Sequence, residues 1–202
     1  MEIWLSSDTH FGHNKEFLYG PRGFTNVKEM NEAIIENWNS VVKPEDITYL
    51  LGDVMLGDNN AGLDCLKQLN GHIFVIWGNH CTDARKVLLC ALPNVTSLGY
   101  AHVFKYKKLS IYMSHYPTLT ANFDSGRHFS QNVLNFHGHT HQRTNWLDLK
   151  NPFMYHVGLD SHNNTPVHID EVISDIRQHW NEIGRLPVAV QPQDTYPYTS
   201  II

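Results

Sequence analysis

Three short apolar runs, each closing on residue types that bind metals, constrain this chain more than any other feature. Glu2-Ile3-Trp4-Leu5-Ser6-Ser7 closes at Asp8, Ile47-Thr48-Tyr49-Leu50-Leu51 at Gly52-Asp53, and His72-Ile73-Phe74-Val75-Ile76-Trp77 at Gly78-Asn79-His80. Runs of this length read as buried strands. Between the first two, Asn26 and Glu29 have capping-box spacing, and Val27, Met30, Ile34 and Trp38 recur at helical intervals. A weaker stripe through Leu63, Leu66 and Leu69 separates the second run from the third. Strand, helix, strand, helix, strand predicts an α/β fold with a partly parallel sheet.

The second half changes character. After a short helix over 85–91, the spacing predicts strands over 100–106 and 109–113, antiparallel and joined through Lys107 and Lys108, then strands over 132–136 and 154–157. Val172, Ile176, Trp180 and Ile183 place a helix over 169–183. Beyond it, Pro187, Pro192 and Pro197 punctuate a stretch without periodicity, so one domain over 1–183 and a tail over 184–202 are expected.

Lys and Arg number 15 against 20 Asp and Glu, a net charge of −5, which gives no global support for binding anionic polymers or membrane surfaces. No window reaches the roughly 18 to 20 apolar residues of a membrane span, and Met1-Glu2-Ile3-Trp4 lacks a signal-peptide pattern, so a cytoplasmic protein is expected. Cys65, Cys81 and Cys90 lack CxxC spacing and read as reduced thiols.

The compositional outlier is histidine, 14 residues of 202. Later strand ends add Ser114-His115 and Gly138-His139-Thr140-His141 to those already named. Alone, each fragment is a common turn or cap. Together they set carboxylate, imidazole and amide donors at five separate strand ends, and in open α/β sheets the crevice beyond the carboxyl ends of the strands is the ligand site.

Asp8-x-His10, Gly52-Asp53, Gly78-Asn79-His80, His115 and Gly138-His139-x-His141 resemble the ordered motifs of the calcineurin-like metallophosphoesterases. Ser7-Asp8-Thr9-His10-Phe11-Gly12-His13, Trp38-Asn39-Ser40-Val41-Val42 and Gly158-Leu159-Asp160 with Pro166-Val167 are similar to a small bacterial and phage subgroup. The resemblance, over about residues 1–170, implies a two-sheet sandwich flanked by helices in four layers, αββα, with a bimetal centre at one end. It implies a first metal on Asp8, His10 and His141, a second on Asn79, His115 and His139, and Asp53 bridging them. The ions would be divalent Mn, Fe, Ni or Zn. A bridging hydroxide would then attack phosphorus in line, while His80 protonates or stabilises the leaving oxygen.

Two departures bear on these roles. Cys81 stands where the family usually has Asp or Glu, so His80 must be oriented otherwise. Arg22-Gly23-Phe24 replaces Arg-Pro-Phe; Arg22 reads either as a grip on a substrate phosphate or as a solvated loop residue, and His13 likewise. His72, His102, His128, His137, His156, His162, His168 and His179 read as surface or core residues. The expected activity is hydrolysis of a small phosphomonoester or diester, including nucleotides. Two rivals are a non-catalytic protein-binding adaptor and a nuclease on polynucleotide, the latter weakened by the thin basic set Lys105, Lys107 and Lys108. Specificity is expected in loops 11–25 and 116–131.

Overall fold

The computed structural model describes residues 1–120 and 128–183. The tail expected over 184–202, and 121–127 within one specificity loop, lie outside the described residues. The first apolar run is β1 (Ile3–Ser6). The loop after it contains one helical turn that the sequence pattern did not suggest, α1 (Glu16–Tyr19), and then α2 (Val27–Val41). The Asn26 side chain accepts from the Glu29 N–H at 2.9 Å, but Glu29 returns its carboxylate to Thr25 rather than Asn26, so the capping box is displaced by one residue. Met30, Ile34 and Trp38 are fully buried, as the stripe requires.

β2 (Ile47–Leu50) follows, then α3 (Asn59–Leu66) and β3 (His72–Val75). The third helix stops short of Leu69 and begins where Asp58 accepts from the Asn60 and Ala61 amides. Next come α4 (Asp83–Cys90) and β4 (Val95–Ser97), a strand too short to show a period. The four strands are parallel, in the order β4-β3-β2-β1, with Leu5 opposite Tyr49 and Tyr49 opposite Phe74.

The second sheet starts as the expected hairpin, β5 (Ala101–Tyr106) and β6 (Leu109–Ser114). Lys107 and Lys108 turn it at φ 46° and 69°, the left-handed pair of a tight hairpin turn. β7 (Val133–His137) and β8 (Met154–His156) add in parallel, giving β5-β6-β7-β8. β9 (Val167–His168) then crosses back to pair antiparallel with β1, leading into α5 (Ile169–Ile183).

Two cores hold these layers. Phe11, Met30, Ile34, Trp38, Leu66 and Ile73 pack the helices onto the first sheet. Between the sheets lie Leu5, Ile76, Ile111, Met113, Phe136 and Tyr155, with Val172 and Ile176 of α5 closing that core. Two sheets flanked by helices is the architecture expected. No helix among the described residues is long and apolar enough to cross a membrane.

Candidate metal centre

The carboxyl ends of β1, β2, β3, β6 and β7 converge, so that Asp8, His10, Asp53, Asn79, His115, His139 and His141 share one cleft. Asp8, His10, Asp53, His139 and His141 all have positive φ, between 47° and 69°. Non-glycine residues rarely adopt that left-handed region, and clusters of such conformations mark functional sites. The turn after β1 is stitched to the turn after β2: the Asp8 amide donates to the Gly52 carbonyl at 3.2 Å and the His10 amide to that of Asp53 at 2.9 Å. Gly78 and Gly138 are required by close approach, since a Cβ would collide with the carboxylates of Asp53 and Asp8 respectively.

Each carboxylate is held by one oxygen and offers the other. Asp8 Oδ2 accepts from the His139 amide at 2.9 Å, while its buried Oδ1 has no hydrogen-bond partner. Asp53 Oδ1 accepts from the His80 amide at 2.9 Å. Around the free oxygens the donors fall into two groups. Asp8 Oδ1 lies 3.8 Å from His10 Nε2 and 3.6 Å from His141 Nε2, which are 3.2 Å apart. Asn79 Oδ1 lies 2.9 Å from His115 Nε2 and 3.1 Å from His139 Nδ1. Asp53 Oδ2 stands between the groups, 3.9 Å from His10 Nε2 and 3.3 Å from His115 Nε2. Donors bound about 2.1 Å from one ion sit roughly 3.0 Å apart at a right angle and up to about 4.2 Å apart across the ion. The spacings, and an orphaned buried carboxylate oxygen beside two imidazole nitrogens, fit metal ions. Asp8 also comes within reach of the Asp53–His115 pair, closer to the second group than its expected role required.

Hydrogen bonds behind the rings choose which nitrogen faces the cleft. His115 Nδ1 donates to the Leu51 carbonyl at 2.8 Å and His141 Nδ1 to Asp160 at 2.9 Å, turning each Nε2 lone pair inward. Burial opposes charge on both, yet Asp53 beside His115 and Asp160 beside His141 raise them above the usual histidine value. Burial would likewise raise Asp8 and Asp53, but their histidine neighbours hold both below the ordinary carboxylate range.

The cleft has a volume of about 440 Å³. On its floor His80 Nε2 is 3.9 Å from Asp53 Oδ2, with the ring partly exposed. Arg85 donates to the His80 carbonyl at 2.8 Å and to Asn59 at 2.9 Å. That strap fixes the backbone of His80 and leaves its ring nitrogens untouched. Cys81 is buried instead, its sulfur accepting from the Gly78 amide at 3.4 Å, and burial raises its thiol. His13 lines the cleft beside Phe17 and is held near pKa 4 by burial and by the field of His10.

A family model described as the calcineurin-like phosphoesterase superfamily domain matches residues 1–151. The chain belongs to the calcineurin-like phosphoesterase superfamily. An uncharacterized protein of Methanocaldococcus jannaschii is 34% identical, the match covering 88% of this chain and 92% of that one. The Gene 66 protein of Mycobacterium phage D29 is 28% identical over 87% of this chain and 98% of its own. A solved protein of unknown function from Aquifex aeolicus superposes with a TM-score of 0.62 at 24% identity, over 86% of this chain and 98% of that one, a likeness of fold. This phosphoesterase is therefore an enzyme of a metal-dependent family, and the adaptor reading is set aside.

The phosphoesterase differs from expectation at Arg22, which is neither solvated nor presented to a phosphate. Its side chain is buried and forms a fork with Asp160, at 2.9 Å from both Nε and Nη2. Asp160, Arg85 and Tyr116, whose ring lies 4.7 Å from that of His139, are site residues that sequence reasoning missed. Gly158-Leu159-Asp160 was visible as a motif, and a metal-facing histidine calls for a carboxylate behind it. Of the remaining histidines, His137 and His156 are fully buried with Nε2 unpartnered, while His168 pairs with Glu2 at the surface.

Proposed function

We propose that this phosphoesterase hydrolyses a small phosphodiester with two divalent transition ions, Mn, Fe, Ni or Zn. One ion is held by Asp8, His10 and His141, the other by Asn79, His115 and His139, with Asp53 shared. The observation that carries the reading is Asp53 Oδ2 standing within 3.9 Å of donors in both groups. Such a pair supplies Lewis acidity at phosphorus and a water activated near neutral pH. The protein's part is to fix the donors, through the amides of His139 and His80 on the carboxylates and through the partners of His115 and His141. His80 stands at the cleft floor to give a proton to the leaving oxygen.

Charge favours a diester. None of the described residues lining the cleft is Lys or Arg, so beyond the ions themselves no side-chain cation there helps to offset the second negative charge of a monoester. Polynucleotide is disfavoured by the net charge of −5 and by the lack of Lys or Arg among the described residues lining the cleft. The test is hydrolysis of bis-p-nitrophenyl phosphate beside p-nitrophenyl phosphate, each metal being added to metal-free protein. Faster turnover of the diester is expected; activity on the monoester alone would reverse the assignment, and none on either with any metal would overturn the reading.

A further inference from the structure

All five N–H donors of Arg22 are engaged within the protein. Nε and Nη2 take the two oxygens of Asp160, Nη2 also donates to the Asp8 carbonyl at 2.7 Å, and Nη1 faces the Thr9 carbonyl at 3.4 Å and the Met30 sulfur at 3.8 Å. A guanidinium has five such donors and no acceptor, so none is left for a substrate. Asp160 is equally committed. Its Oδ2 receives Arg22 Nη2 and, from the other side, His141 Nδ1 at 2.9 Å. The arrangement runs unbroken from the backbone of one candidate ligand, Asp8, through Arg22 and Asp160 to the side chain of another, His141.

We propose that Arg22 and Asp160 are positioning residues for the first ion: Asp160 keeps His141 in the Nδ1–H form with Nε2 aimed into the cleft, and Arg22 fixes Asp160 relative to Asp8. This rests on the bimetal reading above. Two observations support function over mere packing. A neutral imidazole carries its proton on either nitrogen, and the partner behind it decides which. His141 is also the more exposed ring of its group, its side chain 36% accessible against 3% for His10, so packing constrains it least and the hydrogen bond constrains it most. The loop holding Arg22 is pinned in turn, its carbonyl accepting from Asn164 at 3.3 Å, so the fork does not depend on a free loop.

The test measures metal binding on metal-free full-length protein, by competition of Co²⁺ with a chelating dye and by the cobalt absorption bands, without relying on turnover. Asp160→Asn should weaken one of the two ions roughly 10- to 100-fold and shift its absorption bands, leaving the other ion unchanged. The decisive comparison adds His141→Ala. If Asp160 acts through His141, Asp160→Asn lowers Co²⁺ affinity no further in the His141→Ala background. A full additional loss there, or an unchanged affinity in Asp160→Asn alone, overturns the proposal. Should Asp160→Asn fail to fold, Arg22→Lys keeps the buried charge but cannot make the fork: several-fold weaker binding of the same ion supports the pair, and parental binding refutes it. Parental protein that bound no Co²⁺ would instead refute the bimetal reading itself, a separate outcome.

Discussion

The two ends of the cleft are built from similar donors but are held in different ways. At the Asp8, His10 and His141 end a full carboxylate faces the ion position, and a buried ion pair backs His141. At the Asn79, His115 and His139 end the side-chain oxygen is a neutral amide, and the support behind His115 is the Leu51 carbonyl. Charge-assisted hydrogen bonds are stronger than neutral ones, and a carboxylate offsets an ion's charge where an amide cannot. The first end should therefore hold its ion more tightly than the second, with Asp53 the one residue on which both depend.

That asymmetry can be broken most completely at Asp53. Asp53→Asn is expected to abolish hydrolysis and to lower bound metal from about two ions toward one or none. Elemental analysis decides it, and retention of both ions with parental turnover would mean that the ends are not joined by this carboxylate.

His80 belongs to neither end, so its loss should separate chemistry from metal binding. His80→Ala is expected to lower turnover by roughly 10²- to 10⁴-fold with metal content intact, the deficit shrinking for good leaving groups. Loss of an ion in this variant would make His80 a ligand and redraw the comparison.

Acid should act first behind the Asp8 end. Burial holds His137 near pKa 4 and His156 near pKa 3, below the ordinary value of 6.5. At these two rings, and in the opposite sense to the raised His115 and His141, the unfolded chain binds more protons than the folded one, so the contribution of His137 and His156 to stability is complete above about pH 6.5 and is lost as pH falls toward 4. The loss is on the order of 3 kcal/mol for each ring. Denaturant melts of chelated protein at pH 7.5, 6 and 5 measure it. A flat profile over that range would show that these rings take up protons without unfolding.

The mildest expected effect is that of the ions on stability. At a free concentration about 100 times the dissociation constant, binding to the folded state adds about 2.7 kcal/mol, or roughly 5 to 11 °C in a domain of this size. The shift should come in two stages as Mn²⁺ or Zn²⁺ is titrated into metal-free protein, the tighter stage lost in Asp8→Asn and the weaker in His139→Ala. Mg²⁺, which prefers all-oxygen ligands, should do less. Equal melting temperatures with and without chelator, on protein shown to start metal-loaded, would remove both ends at once.

Periodicity and local chemistry determined a large part of this molecule. The runs at 3–6, 47–50 and 72–75 were legible as strands because each is a short apolar stretch closed by a turn or polar residue, and the stripe Met30, Ile34, Trp38 carries its burial in its spacing, because side chains repeat about every 3.6 residues in a helix. The donor residues were legible for a related reason: each follows a strand end, and chain order places strand ends together. Only the tertiary structure decided the rest. β4 and β9 are too short for any period to register, and exist because neighbouring strands supply their hydrogen bonds. Gly158-Leu159-Asp160 was legible as a motif, but neither the contact of Asp160 with His141 nor that of Arg85 with the His80 carbonyl could be read from the sequence. A charged side chain in a loop reads as solvated until packing buries it, and Arg22 became an internal strut only because Asp160, 138 residues further along the chain, lies where its fork can reach.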